Sequence, residues 1–388
     1  MIAVIADDFT GAAEIGGIGL KYGLKVRIET EVKSVSDVDL LIVATDTRSL
    51  KAEEASNEIK KITKKLVPLR PQFIYKKLDS VLRGNIADEL VAQMISSNKS
   101  RSIIVAGNPF LGRRIRDGIY TIDSVPLNKT HFENDPDFPV KSSSAVDIIG
   151  RKAHKVFSLS VDDRLPEKGL IIGNVTDSDE MNKWALKIDE TTIAAGGSGF
   201  FDVILSKQFV AKAEKQIGTV YTGDKTLLIS GSTFPKSKEV FKWLNDFGIV
   251  TKNMPVEIYN NQDFNQKYFK SWVNEVVESL KNGEKVIISI EHNKSSEGGI
   301  AIRVKKIVAR LVKEVMLRVE LDDLFIEGGA TTSEILGALK IAKLYPCREL
   351  AFGIIQMKVD EYPKLCITTK PGSYSWPKNI SFNNVQVK

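Results

Sequence analysis

Two adjacent carboxylates, Asp7 and Asp8, close the short apolar run Ile2–Ala6. They are followed by Phe9, Thr10, Gly11 and Ala12, a small-residue stretch able to open a helix. In open α/β sheets, ligands bind beyond the carboxyl ends of the strands, so this pair is delivered to where chemistry is done. Alternate strand residues point to opposite faces, which predicts that one of the two acids faces a given ligand while the other turns away. A helix N-cap alone accounts for a cluster of Asp, Thr and Gly in many proteins. Here two acids and a threonine exceed what one cap needs, which favours a functional role.

Two further runs end in the same way. The run Phe73–Leu78 leads into a turn that carries Lys77, Asp79, Ser80 and Arg83, and the run Asp39–Thr45 leads into Asp46, Thr47 and Arg48. Cations at a strand-to-helix turn, beside the free N–H groups of the helix, suit a carboxylate or a phosphate. Arg48 could grip a carboxylate through two bonds, or simply pair with Asp46. Taken singly, each turn reads equally well as a capped, salt-bridged connection. Three of them on one expected sheet edge point to a site for a small anionic molecule.

The second half of the chain ends its strands differently. Ser230-Gly231-Ser232-Thr233 follows Thr226–Ser230, and Gly328-Gly329-Ala330-Thr331-Thr332 follows Leu324–Ile326. Lys370-Pro371-Gly372-Ser373 follows Leu365–Thr368. Glycines admit close backbone approach, and the helix beyond offers N–H donors to phosphate oxygens. None of the three has the spacing of a P-loop. One such turn is an ordinary connection, whereas three in one block favour nucleotide binding. The contact candidates are Ser230, Ser232, Gly328, Gly329, Ala330, Thr331 and Gly372.

The elements that must position these residues alternate along the chain. Expected strands at Lys25–Glu29, Asp39–Thr45, Phe73–Leu78, Ser102–Ala106, Leu170–Val175 and Thr192–Ala195 are separated by helical patterns at Ala52–Leu66, Ala87–Ser96 and Asp179–Ile188. This βα alternation predicts a mostly parallel sheet covered on both faces. Gly107 to Gly150, rich in Gly, Pro, Asn and Asp, breaks the rhythm and reads as loops and short hairpins long enough to be functional. A second block starts near Lys225, with expected strands at Thr226–Ser230, Val256–Tyr259, Lys285–Ile290, Leu324–Ile326, Ala351–Met357 and Leu365–Thr368. Its strongest helix is Gly299–Arg318, where Ile300, Val304, Ile307, Val308, Leu311 and Val315 form a core stripe.

A chain of 388 residues exceeds one ordinary core, so two domains are expected, 1–220 and 221–388, with Ile217–Lys225 as the boundary. Hydrophobic residues at 43% and charged residues at 27% indicate a globular protein rather than extended disorder. A formal charge of +6 is mild for this length and argues against nucleic acid as a partner. The chain has no run of eighteen apolar residues and no secretory leader pattern, so a cytoplasmic location without membrane contact is expected. Cys347 and Cys366 cannot build a disulfide framework, and His131, His154 and His292 lie far apart in the sequence, so no metal ligands are assigned.

With these motifs in place, the chain resembles the four-carbon acid sugar kinase family, whose members phosphorylate threonate, erythronate or their oxo-derivatives. Ala6-Asp7-Asp8-Phe9-Thr10-Gly11-Ala12 is similar to the family's N-terminal signature, and Thr45–Arg48 to its Thr-Asp-Ser-Arg element. Lys77–Asn85 is similar to its Lys-x-Asp-Ser-Thr-x-Arg-Gly-Asn element, with Val81 where a Thr is usual. Gly112-Arg113, Gly118, Thr130 and Asp135-Pro136 fit its long loop, and Gly196-Gly197-Ser198-Gly199 resembles the Gly-Ser turn that follows. The likeness runs over nearly the whole chain. It weakens in the second half, where Ala330 stands in place of a common Asp and Lys370-Pro371-Gly372-Ser373-Tyr374 departs from a Lys-Ser-Gly-Gly-Phe pattern. Pro371 also lacks an N–H for phosphate.

The resemblance implies two α/β domains, each a mostly parallel sheet flanked by helices, with the active-site cleft between them. The N-terminal domain would bind the sugar acid and the C-terminal domain ATP, with Mg²⁺ bridging the phosphates. Asp8 (or Asp7), Arg48 and Lys77 to Ser80 would contact the sugar acid, with Arg83 beside them in the same element; Ser232, Gly328 to Thr331 and Gly372 would contact ATP. Phosphoryl transfer needs positioning, charge neutralisation and a base near the acceptor hydroxyl. On this reading Arg48 and Lys77 hold the substrate carboxylate, an acid among Asp7, Asp8 and Asp79 receives the hydroxyl proton, and domain closure excludes water. Two alternatives stand beside it: a non-catalytic sugar-acid-binding protein or sensor derived from such a kinase, and a metal-dependent phosphohydrolase with an Asp nucleophile. A homodimer stays open, since nothing in the sequence determines the oligomeric state.

Overall fold

The computed structural model describes residues 1–32, 37–135, 138–150, 155–212, 218–230, 249–259, 265–290 and 300–382. Two compact units divide the chain, Met1–Ala213 and Glu214–Lys388.

The strands of the first unit are β1 (Ile2–Ala6), β2 (Val26–Glu29), β3 (Leu40–Ala44), β4 (Ile74–Lys77), β5 (Arg101–Val105), β6 (Arg113–Arg116), β7 (Ile119–Ile122), β8 (Val125–Pro126), β9 (Val156–Leu159), β10 (Gly169–Gly173) and β11 (Thr192–Gly196). Eight of these form a sheet in the order β2-β3-β1-β4-β11-β5-β10-β9, with every neighbouring pair parallel. All eight carboxyl ends therefore lie on one edge. β1 and β3 are buried along their whole length, which is why they read as unbroken apolar runs instead of alternating ones. Helix Ala52–Leu66 packs on Ile86–Ser97, and helix Phe9–Lys21 packs on Ser198–Ser206. From β1 the chain runs out past β3 to β2, whereas from β3 it crosses back past β1 to reach β4. Connections thus diverge around β1, and such a switch point opens a crevice at the carboxyl edge.

Two glycines show how closely this sheet is covered. A Cβ on Gly173 would lie 2.6 Å from the Trp184 ring, so the strand must present bare backbone to the buried indole. A Cβ on Gly196 would lie 2.1 Å from the Val105 carbonyl oxygen, at a φ of +155°. Gly196→Ala is therefore expected to destabilise the first unit by about 1–3 kcal/mol, read as a lower urea or thermal midpoint. An unchanged midpoint would mean that β5 and β11 can part at no cost.

The region from Gly107 to Gly150 does form hairpins: β6, β7 and β8 make a small antiparallel sheet. Helix Ala52–Leu66 has the predicted bounds, and most expected strands shift by only one or two residues.

The second unit contains β12 (Val220–Tyr221), β13 (Thr226–Ser230), β14 (Val250–Asn253), β15 (Val286–Ser289), β16 (Asp323–Glu327), β17 (Lys343–Ala351), β18 (Ile354–Val359), β19 (Cys366–Lys370) and β20 (Ile380–Ser381). Its sheet runs β14-β15-β13-β16-β19-β18-β17, parallel as far as β19, with β18 antiparallel to both its neighbours. β12 and β20 pair separately. Helix Ile300–Met316 buries Val304, Ile307, Val308, Leu311 and Val315, the stripe expected from its periodicity except for Ile300, which is half-buried at the first turn. Val256–Tyr259, expected as a strand, is a short helix. Pro255 precedes it and its carbonyl accepts from the Ile258 and Tyr259 N–H groups, so a proline pre-set for a helix start overrides the apolar alternation. Among the described residues, no helix is long and apolar enough to cross a membrane.

Candidate active site

The three charged turns of the first unit meet at the carboxyl edge of β1, β3 and β4. Strand pairing of β1 stops at Ala6, so Asp7 and Asp8 lie in the turn beyond the ladder. Both carboxylates reach the same guanidinium: Arg48 Nε donates to Asp7 Oδ2 at 2.8 Å, and Arg48 Nη1 lies 3.1 Å from Asp8 Oδ2 and 3.4 Å from Asp79 Oδ1. The expectation that one acid turns away is corrected here, because strand alternation ends where the ladder ends. Arg48 thus pairs with Asp7, Asp8 and Asp79, while Asp46 adopts a left-handed conformation (φ +53°) and turns the chain into the short helical turn Thr47–Ser49 that carries Arg48.

Asp8 also caps helix Phe9–Lys21. Its Oδ1 accepts from Gly11 N at 2.8 Å and its Oδ2 from the Thr10 hydroxyl at 2.7 Å. The capping and charge-pairing readings are both realised in this one residue, the cap through Oδ1 and the ion pair through Oδ2. Burial alone would raise its pKa; the charges of Arg48 and Lys77 and the bonds from Thr10 and Gly11 outweigh that and hold it below the ordinary value. Asp7 is buried as well, and its Oδ1 takes no hydrogen bond among the described residues.

Asp79 is held more firmly. Arg83 grips it with Nε and Nη2, both at 2.8 Å, and the Val81 and Arg83 backbone N–H groups donate to its Oδ2. Burial opposes ionisation, but Arg83, Arg48 and these bonds keep the carboxyl far below the usual range. A carboxylate so committed orders the turn and is a weak proton acceptor. Arg83 Nη1 reaches on to Asp135 at 2.7 Å, and its guanidinium stands over the Phe132 ring. The Tyr120 hydroxyl donates to the Ser80 carbonyl, so the hairpin region braces the site it borders. Val81, where the family has a Thr, points into the core beside Leu82, and Leu82 accepts a φ of +65° with its side chain buried. Lys77 Nζ donates to the Leu78 carbonyl at 2.8 Å and lies 3.7 Å from Glu14.

Asp7, Asp8, Asp79 and Asp135 thus surround Arg48 and Arg83, four carboxylates about two guanidinia. The arginines are not bare cations awaiting an anion. They fix a row of acceptors suited to hydroxyl groups, and Asp7 Oδ1 is the acceptor left over. Two partners were not among the candidates. Glu14 lies on the inner face of the first helix, and Asp135 lies 52 residues from Arg83. An acid inside a loop rich in Gly and Pro was the available signal for Asp135.

In the second unit, the carboxyl ends of the neighbouring strands β13, β16 and β19 carry Ser230, Glu327 and Lys370 in register. The Ser230 hydroxyl donates to Glu327 Oε2 at 2.6 Å, and Lys370 Nζ pairs with Glu327 Oε1. Lys370 also donates to the carbonyls of Pro371 (3.0 Å) and Tyr374 (2.6 Å). Glu327 and Lys370 were not among the candidates; a charged last residue on a buried strand, just before a glycine or proline turn, would have flagged both. Gly328 adopts φ +95°, donates its N–H to the Lys370 carbonyl and precedes helix Gly329–Leu339, which contains Ala330 and Thr331. Gly372 follows in the turn after β19, and Ser232 lies outside the described residues. Among the described residues, no group of three or more His, Cys, Asp and Glu side chains could hold a metal ion.

Comparison with known proteins matches two family models. One, described as a sugar-binding N-terminal domain, covers residues 2–234; the other, described as a nucleotide-binding C-terminal domain, covers residues 227–374. Among curated proteins, a D-threonate kinase of Salmonella typhimurium is 34% identical over 149 residues, 38% of this chain and 35% of its own length. A D-erythronate kinase of Heliobacterium modesticaldum is 28% identical over 158 residues, 39% of this chain and 36% of its own. The chain therefore matches little more than a third of the length of these two relatives. A 3-oxo-tetronate kinase of Haemophilus influenzae is 23% identical over 297 residues, 70% of this chain and 71% of its own. Among solved structures, a Haemophilus influenzae protein shares the fold with a TM-score of 0.70 at 18% identity, over 97% of this chain and 98% of that one. A Salmonella typhimurium protein does so with a TM-score of 0.76 at 17% identity, over 96% of each chain.

Proposed function

We propose that this chain, which belongs to the four-carbon acid sugar kinase family, transfers the terminal phosphoryl group of ATP to a hydroxyl of a four-carbon sugar acid such as threonate, erythronate or 3-oxo-tetronate. The observation that carries the reading is the convergence of Asp7, Asp8, Arg48 and Asp79 at one strand edge, within a region matched by a sugar-binding family model. Substrate hydroxyls meet the oriented carboxylates, and Asp7, with its spare oxygen, receives or orients the proton of the reacting hydroxyl. Arg48 holds the acids in place, and Lys77 offsets the substrate carboxylate. Asp79, Ser80 and Arg83 shape the floor of the site. The domains divide this work near residues 213–220: the sugar acid goes to the first and ATP to the second, with the cytoplasm as the compartment.

The match of residues 227–374 to a nucleotide-binding model and the glycine turn before helix Gly329–Leu339 support ATP on the second unit. Mg²⁺ neutralises charge on the phosphates when bound with ATP. It is normally held by those phosphates with one or two carboxylates, so the absence of a larger acid cluster among the described residues does not conflict with its use. Gly329→Val is expected to abolish ATP binding measured by calorimetry while sugar-acid binding survives, because a branched side chain would stand where backbone must approach phosphate. Nucleotide bound with unchanged affinity by a folded variant would remove this turn from the site.

One observation favours the non-catalytic alternative. Lys370 has three donors and already directs them to Glu327, Pro371 and Tyr374, so it offers no free cation to a phosphate. A screen of four-carbon sugar acids with ATP and Mg²⁺, following ADP release, separates the two readings. Acid-dependent ADP release supports the kinase. Saturable sugar-acid binding without any ADP release would leave the binding protein as the reading.

A further inference from the structure

We propose that the first unit carries a second ligand site, at the amino ends of β4 and β11, for a small organic anion with an apolar body and a hydrogen-bonding group at its inner end. A cavity of about 680 Å³ opens there, within the size range of sites for small molecules. Ile74, Ile193 and Ile204 supply its apolar wall, and Gln93 of helix Ile86–Ser97 lines it from the other side.

Gln93 is the observation that points to a ligand. Its side chain is fully buried, yet neither Nε2 nor Oε1 has a hydrogen-bond partner among the described residues. Buried amides are normally satisfied, and an amide that both donates and accepts suits a hydroxyl or a carbonyl brought in by a guest. The rim supplies the charge preference. Arg70 and Lys207 line the cavity, are exposed, and form no ion pair among the described residues. On the acidic side, Asp189 is already paired with Arg101 at 2.5 Å and accepts from Thr191 and Thr192, which leaves the exposed Glu190 as the opposing carboxylate. Lys99 donates to the Glu190 backbone carbonyl and adds a third cation.

The site is separate from the acid cluster. β4 runs from Ile74 at the cavity to Lys77 at the opposite edge, roughly 10 Å at the rise of a strand, and Asp79 lies further on. A molecule of this size in the cavity would therefore not reach Asp7 or Arg48. The position at the amino edge also falls outside the place where open α/β sheets put their main ligand, so the fold itself does not call for it.

The probe is 6-hydroxyhexanoate, with hexanoate as the version lacking the inner hydroxyl, titrated into full-length protein with labelled isoleucine methyls and observed by NMR. Saturable shifts of Ile74 and Ile193 are expected, with hexanoate at least fivefold weaker. Arg70→Glu combined with Lys207→Glu should weaken both probes tenfold or more, while leaving phosphoryl transfer unchanged. Gln93→Leu should bring 6-hydroxyhexanoate down to the affinity of hexanoate. Should that variant fail to fold, the charge-reversed pair, which changes only exposed side chains, still decides the matter. Absence of saturable shifts at these isoleucines, or equal affinity in the charge-reversed variant, would overturn the proposal and leave a cavity filled by water.

Discussion

Arg48→Ala should destabilise the first unit by about 3–5 kcal/mol, because it strips the shared counter-charge from three buried carboxylates. Asp7, Asp8 and Asp79 all lie within 3.4 Å of the guanidinium, and among the described residues no second cation pairs with Asp7. Urea unfolding at neutral pH measures the loss. Arg48→Lys should recover only part of it, since one ammonium cannot meet Asp7 through one nitrogen and Asp8 and Asp79 through another. The pH dependence follows from the direction of the shifts. Asp8 and Asp79 titrate below the ordinary aspartate value of 3.8 in the folded protein. Their contribution to stability is therefore fully present above that value and is lost as pH falls below it, through the folded pKa values. The difference between wild type and Arg48→Ala should thus be constant from pH 8 to about 5 and shrink below about 4. Activity should collapse with stability, and sugar-acid affinity should fall more than ATP affinity. Midpoints within experimental error of each other would show that the acids do not depend on Arg48.

Asp7→Asn and Asp8→Asn should come apart in a way that an isolated cap cannot explain. Asp7 donates nothing to helix capping, and one of its oxygens is buried without a partner. Its amide variant keeps the shape and leaves Arg48 paired with Asp8 and Asp79, but loses the negative acceptor; turnover is expected to fall about 10²–10⁴-fold, with a lowering of the unfolding midpoint smaller than that of Arg48→Ala. Asp8 caps the helix through Oδ1, which accepts from Gly11, while its Oδ2 serves both the Thr10 hydroxyl and Arg48. Asparagine retains the cap, so Asp8→Asn should be milder in rate, whereas Asp8→Ala should add about 0.5–2 kcal/mol of lost capping. Steady-state turnover with each accepted sugar acid, beside a denaturation curve for each variant, provides the comparison. Near-normal turnover in both amide variants would take the first motif out of the chemistry.

Much of this organisation is written in consecutive residues. The helix Ala52–Leu66 and the stripe on Ile300–Met316 follow from the 3.6-residue period, and the strands of the first unit from short apolar runs between turns. The three charged strand ends belong on one edge by pattern alone, because a parallel sheet has only one carboxyl edge. The break in rhythm after Gly107 announced the hairpins, although apolar residues scattered through it, Ile115, Tyr120 and Leu127 among them, still join the core.

What the sequence left open is what depends on which strands become neighbours. Ser230, Glu327 and Lys370 are up to 140 residues apart, and form one buried network only because β13, β16 and β19 pair side by side. The antiparallel turn of β17 and β18 within an otherwise parallel sheet is likewise a matter of pairing, for which a short apolar run carries no direction. Val256–Tyr259 shows the reverse case, where four residues of strand-like alternation were too few to outweigh one proline. At the acid cluster, residue types alone indicated a site but left Arg48 free to pair with Asp46. Tertiary structure gave it to Asp7, Asp8 and Asp79, because the end of the β1 ladder releases both acids towards β3, and the left-handed turn at Asp46 swings Arg48 to meet them.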